Sequence, residues 1–342
     1  MHLIETSHLF KAQRSLARRL LTLGLGLSLT GSLPLWGAQL YAEGGSEQAS
    51  RPYQVATSTY PIYVWARALL QDIPSTQVEL LTPPDQDPAL WVPSAEALTR
   101  YQRSSLIALN GAQFEQWLAQ VSLPPSRTLE TAEPLRAEWL HYQRAVQHQH
   151  GPEGEHSHEG VDGHTWLDPL SALKQSEALY ERLKRDLPQH ERALSAHRVA
   201  LERRLRALDA QWRAFADALR AAQPSVVIWA SHPAYQYLAR RYSLPITSLD
   251  LSPEEPIKAE ALKELMARRA ALKSDAHLVL WWEATPTEQV SEALAPLKLT
   301  RSITVPPFET EALSEPVREG REPPAYFERF GPLFERLKAT LP

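Results

Sequence analysis

From Gln189 to Ala222 the chain carries one unbroken helical pattern, and that stretch restricts the possible folds more than any other. Leu194, Leu201, Leu205, Leu208, Trp212, Phe215 and Leu219 follow one another at intervals of 3, 4 or 7. That spacing places apolar side chains on one face of an α-helix. At 1.5 Å per residue the helix is roughly 50 Å long, about the length of a two-lobed protein. It reads as a rigid spine rather than as one helix packed within a single lobe. A shorter helix precedes it, with Asp168 as N-cap, Pro169 as first residue and an end near Pro188.

On either side of this block, short apolar runs alternate with helical patterns. Strands are expected at Gln54–Ser58, Gln77–Thr82 and Ser105–Asn110, with helices starting near Pro61, Ser94 and Gln113. The alternation resumes with strands at Ser225–Ala230, Pro245–Asp250, His277–Trp282 and Ser302–Val305, and helices near Pro233, Pro256, Thr287 and Pro323. Strand-then-helix order predicts parallel sheets covered by helices. The expected fold is therefore α/β: two lobes, each a mostly parallel sheet flanked by helices, joined by a long spine helix. The N-terminal lobe is placed at residues 52–165, the helical linker at 166–223 and the C-terminal lobe at 224–342. Between Ser122 and Gly163 no period is visible, and the segment reads as a long loop.

The first residues read as an export signal. Lys11, Arg14, Arg18 and Arg19 precede an apolar stretch from Leu20 to Leu35, and small residues follow. Cleavage after Ala42 or Ala38 fits, giving a signal peptide over residues 1–42. About sixteen apolar residues interrupted by Gly, Ser, Thr and Pro are short for a membrane span. The expected location is the periplasm. A net charge of −4 gives no basic field for nucleic acid, and with no cysteine at all the chain has neither thiolate metal sites nor disulfides.

Metal chemistry is what the histidines suggest. His148, His150, His156 and His158 fall within eleven residues, interleaved with Glu153, Glu155 and Glu159 in a loop over 141–163. Imidazoles and carboxylates on a Gly-containing tether suit divalent metals, zinc above all, as an auxiliary site. Three further residues sit where ligands gather. His164 precedes the Asp168 cap, while His232 and Glu283 each follow a predicted strand, at the carboxyl ends where open α/β sheets bind. Two imidazoles and one carboxylate make a reasonable divalent-metal site.

The chain resembles the metal-binding periplasmic proteins of ABC importers, specifically the high-affinity zinc-uptake branch, over residues 52–340. The resemblance is carried by His164-Thr165-Trp166-Leu167-Asp168-Pro169, by Ser231-His232-Pro233-Ala234-Tyr235-Gln236-Tyr237, by Glu283, by Asn110-Gly111 with Glu115 and Trp117, and by Glu255-Pro256. The His-rich loop also lies where zinc-specific members carry theirs. One departure stands out. The family usually has Asp-Pro-His-x-aromatic in the first lobe, with that His as a ligand, and here the segment is Asp87-Pro88-Ala89-Leu90-Trp91. Water or a small ligand, a histidine of the 148–158 loop, or Asp87 as a compensating ligand are the candidates for the fourth position.

The resemblance implies a periplasmic solute-binding protein, monomeric and not an enzyme. It would bind Zn(II) as cargo between the lobes through His164, His232 and Glu283, with Mn(II) or another divalent ion as a lesser alternative. Its partner would be an inner-membrane ABC permease, with a periplasmic metallochaperone as a further partner. A continuous spine helix predicts small hinge motion. Two other readings fit the residues: a stand-alone zinc buffer or metallochaperone in which the loop matters most, and a zinc hydrolase using the open position of a His2Glu site.

Overall fold

The computed structural model describes residues 51–84, 86–142, 160–309 and 326–342, together with the backbone of 146–149 and 155–158. The expected signal peptide at 1–42, His150 and the helix start near Pro323 lie outside the described residues. Two four-stranded sheets, all parallel within themselves, organise the rest. The first is built from β1 (Tyr53–Thr57), β2 (Thr76–Leu80), β3 (Leu106–Leu109) and β4 (Thr128–Glu130), in the order β2-β1-β3-β4. Helices α1 (Tyr60–Leu69) and α2 (Ala95–Arg103) make its first crossovers.

The segment expected to be featureless contains more than a loop. Besides β4 it holds an antiparallel hairpin of β5 (Val146–Gln149) and β6 (Glu155–His158), in which His148 is registered opposite His156 and Val146 opposite His158. The hairpin is rooted by a bridge between His141 and Val161. Short polar strands without an apolar face carry no alternation to read, which explains why the pattern hid them.

Next come α3 (Pro169–Asp186) and α4 (Glu191–Ala221). Asp168 caps α3 through its carboxylate on the Leu170 N–H at 3.0 Å, with Pro169 at the first position, as expected. The second sheet contains β7 (Val226–Ala230), β8 (Ile246–Ser248), β9 (His277–Trp282) and β10 (Arg301–Thr304), ordered β10-β9-β7-β8. Around it are α5 (Gln236–Tyr242), α6 (Ala259–Ala270), α7 (Glu288–Ala293) and α8 (Phe330–Lys338). Where a helix was expected from Gln113, a single 3-10 turn forms at Gln116–Ala119. The reason is visible in Glu115, whose buried carboxylate accepts the Asn110 N–H at 2.7 Å and the Gly111 N–H at 3.0 Å and so holds the chain in a turn. Gly111, with φ +75°, supplies the left-handed residue that this turn needs.

The spine α4 buries every residue of the predicted stripe, and its two halves enter different cores. Leu194, Leu201 and Leu205 pack with Trp65, Leu69, Leu179 and Leu183 beside the first sheet. Leu208, Trp212, Phe215 and Leu219 pack with Trp281, Tyr235 and Phe334 beside the second. Its outer face is laced by Arg206–Glu202 and Arg213–Asp209 pairs four residues apart. Leu205→Ala should therefore cost about 2–5 kcal/mol, the range for a buried Leu lost with incomplete collapse. The neighbouring Arg206→Ala, at a side chain 59% exposed, should leave the urea midpoint nearly unchanged. Equal shifts of the two midpoints would show that this face is not what α4 buries.

Candidate metal centre

Both sheets reverse their strand order beside their first strand, β1 against β3 and β7 against β9. At such a switch point the loops leaving neighbouring strands diverge, and a crevice opens at the carboxyl ends. His232 leaves β7 and Glu283 leaves β9, so both flank the switch point of the second sheet. The loop after β3 reaches the third expected residue, because Asn110 Nδ2 donates to the Gly163 carbonyl at 2.9 Å, next to His164. Gly163 has no room for a side chain: a Cβ there would stand 2.7 Å from that of Phe114. Close packing of Phe114 and Trp166 against the His164 ring, at 5.4 and 5.3 Å between centroids, follows from it.

The structure brings His164 and His232 together, with ring centroids 5.5 Å apart and planes at 84°. Both are almost wholly buried. The carboxylate that meets them is Glu309, which the sequence analysis did not single out. Its Oε1 lies 2.6 Å from His164 Nε2 and 3.9 Å from His232 Nε2. Ligand atoms of His164, His232 and Glu309 all fall within 4.8 Å of one another. Glu283 lies one step further out than expected. It stands behind His232, with Oε2 3.0 Å from Nδ1.

Asp162 does the same for His164, with Oδ1 2.7 Å from Nδ1 while it also accepts the His164 backbone N–H at 3.0 Å. Tyr142 donates its hydroxyl to the same oxygen at 3.1 Å. Each imidazole is thus held at Nδ1 by a buried carboxylate, and each turns Nε2 towards Glu309. Carboxylate–imidazole pairs of this kind fix the tautomer and the ring plane of a metal-binding histidine.

Glu309 is positioned from three sides. The preceding Phe308 adopts φ 58°, uncommon for an aromatic residue, and is packed against Tyr326 and Phe330. Trp166 Nε1 donates to the Pro307 carbonyl at 2.8 Å, and the Tyr60 N–H donates to the Glu309 carbonyl at 3.0 Å. A sequence signal for it exists in its position after β10, although it lies five residues beyond that strand whereas Glu283 directly follows β9. Asp162, two residues ahead of His164, is a carboxylate close in sequence to an expected ligand.

The electrostatics follow from burial. Desolvation opposes protonation of His164, but Asp162 and Glu309 outweigh it and push its pKa up to about 10. The imidazolium therefore donates Nε2–H to Glu309. His232 is raised by Glu283 and Glu309 against the same burial cost. Asp87, the expected compensating ligand, is pushed up to about 7 by burial and by Glu309, with His232 and His164 opposing. One of its oxygens accepts the Ala89 N–H at 2.8 Å. It stands near the three-donor group but does not join it. The loop histidines His148, His156 and His158 lie on the hairpin strands, rooted beside Tyr142 and Asp162.

Comparison with known proteins identifies the family of the fold. The family model described as zinc-uptake complex component A, periplasmic (ZnuA), matches residues 55–338. The zinc-binding lipoprotein AdcA of Streptococcus pneumoniae is 28% identical over 232 residues, covering 66% of this chain and 44% of the relative. The high-affinity zinc uptake system protein ZnuA of Bacillus subtilis is 25% identical over 263 residues, covering 74% of this chain and 77% of the relative. The chain thus spans less than half the length of the pneumococcal relatives it matches. None of these names denotes an enzyme. Among solved structures, the Zn(II)-bound ZnuA-like domain of pneumococcal AdcA superposes with a TM-score of 0.65 at 22% identity, over 84% of this chain and 98% of that one. The periplasmic zinc-binding protein TroA of Treponema pallidum gives 0.65 at 20% identity, over 84% and 99%. With a match running over most of its length, the chain belongs to the zinc-uptake complex component A family.

Proposed function

We propose that this protein is the solute-binding component of a zinc-uptake ABC importer, capturing Zn(II) in the cleft between its two sheet units and handing it to an inner-membrane permease. The observation that carries the reading is the convergence of His164, His232 and Glu309. Donors about 2.1 Å from a tetrahedral zinc stand roughly 3.4 Å apart. The separations of 2.6 and 3.9 Å to Glu309 straddle that value, so small adjustments accommodate the ion. Two nitrogens and one carboxylate oxygen favour zinc over magnesium or calcium, which prefer oxygen throughout. On binding, the ion takes the place of the proton between His164 and Glu309, so capture releases a proton.

The assigned ligands are His164, His232 and Glu309, with Asp162 and Glu283 holding the imidazoles. Zinc titration of the full chain tests this against the alternative that the loop is the principal site. His164→Ala with His232→Ala should abolish the tightest site, and deletion of 148–158 should leave it in place. The reverse pattern would sink the reading. The periplasmic location and the permease are tested in cells. A strain lacking the protein should show a zinc-uptake defect that the protein restores only when the permease is present, and restoration without it would point to a buffer.

The two carboxylate tiers separate in the same titration. Glu309→Gln removes a ligand and should abolish tight binding. Asp162→Asn and Glu283→Gln leave all three ligands and should weaken it by about 10–100-fold each, the usual cost of losing an imidazole's carboxylate partner. Loss of binding in Glu283→Gln alongside weakening in Glu309→Gln would exchange the two roles.

A further inference from the structure

We propose that helix α5 fixes the separation of the two metal-binding imidazoles, with Tyr237 and Arg241 as positioning residues that grip the His164 segment on both of its flanks. This rests on the ligand assignment above and deepens it, naming what holds ligands from two different parts of the chain in register.

The need follows from the topology. His232 leaves β7 in the second sheet, whereas His164 lies between the first sheet and α3. A constellation of binding groups acts as one site only when its members are held within about 0.5 Å of their working positions. Asp162 and Glu283 orient the rings, but Asp162 belongs to the same segment as His164, and Glu283 to the same sheet as His232. Neither one decides how far apart the rings stand. Glu309 reaches both rings, but through a side chain that the ion must also engage.

Helix α5 begins at Gln236, four residues after His232. The residues between, Pro233, Ala234 and Tyr235, are buried, and the Tyr235 hydroxyl donates to the Val305 carbonyl. On one flank of His164, the Tyr237 hydroxyl accepts the Leu140 N–H at 2.9 Å. The Leu140 carbonyl in turn accepts the Asp162 N–H at 2.8 Å, and Asp162 holds His164 at its backbone N–H and at Nδ1. Arg240 adds a bond to the same strip, donating to the Glu138 carbonyl at 3.1 Å with its guanidinium 5.4 Å from the Tyr237 ring centroid. On the other flank, Arg241 donates from Nε to both oxygens of Asp168 at 2.9 Å and from Nη2 to Oδ2 at 2.5 Å. Asp168 is buried, and only the 3-10 turn Thr165–Leu167 separates it from His164. A guanidinium fork on a carboxylate fixes direction as well as distance, which a lysine ammonium does not. One helix starting just beyond His232 thus brackets His164 from both sides.

Zinc affinity of the full chain, read by competition with a chelator of known strength, tests the grip. Tyr237→Phe keeps the ring and removes only the acceptor. It should weaken zinc by about 2–30-fold, the range for residues that act on a site through others. Tyr242→Phe controls for stability alone: on the same helix it loses a hydroxyl bond to Asp209 of α4, 2.9 Å long, without touching the His164 segment. It should lower the urea midpoint and leave the affinity as it was. The Tyr237→Phe loss should shrink towards none in an Asp162→Asn background and persist in full with Glu283→Gln, because positions on one route fail to add. Arg241→Lys keeps the charge without the fork and should also weaken zinc. Wild-type affinity in Tyr237→Phe or Arg241→Lys, an equal loss in Tyr242→Phe, or a Tyr237→Phe loss undiminished by Asp162→Asn would each overturn the proposal. Failure of the ligand assignment is a different result, tight zinc retained by the His164→Ala, His232→Ala variant.

Discussion

Three buried carboxylates, Asp162, Glu309 and Glu283, stand in a row with the imidazoles of His164 and His232 between them. Burying a charge is tolerable only when it is paired and hydrogen-bonded. The alternation of acid and base is what lets this row exist in the interior. Positive charge is required at its centre, supplied by a proton in the metal-free chain and, on the reading advanced above, by a divalent ion when cargo is held. The close approach of Phe114 to Gly163, the left-handed Phe308 and the Trp166–Pro307 hydrogen bond all serve that row by fixing where its members stand.

The fold was legible to the extent that it depended on apolar period. The stripe from Leu194 to Leu219 predicts α4 because a helix burying one face must repeat its apolar residues. Val226–Ala230 and His277–Trp282 were equally plain, since buried parallel strands are runs of apolar residues. By contrast β4, β5 and β6 escaped notice because they are short and polar. The turn at Gln116 escaped because Glu115, a charged residue in a stretch that could have been helical, spends its carboxylate on backbone N–H groups.

At the site, the histidines were legible and the division of labour among acids was not. Glu283 and Glu309 follow neighbouring strands of one sheet and are chemically identical. Only the direction of the chain after each strand decides which one reaches Nε2 and which one Nδ1. That direction is set by contacts distant in sequence, from Tyr60, Trp166 and Tyr326 to the segment ahead of Glu309. No local pattern encodes them.

The spine helix has a consequence for how the molecule comes apart. Because Leu201 and Leu205 belong to one core and Leu208 and Trp212 to the next, neither sheet can shed its helix without exposing the apolar stripe of the other. A cut near residue 223 would leave the first half with a bare hydrophobic rod and the second without a wall. The two halves should therefore melt as one cooperative unit. A ligand that binds only the folded form adds to the stability of that whole unit, so on the reading proposed above, cargo held at the far ends of the strands would protect α4 and both sheets against proteolysis together.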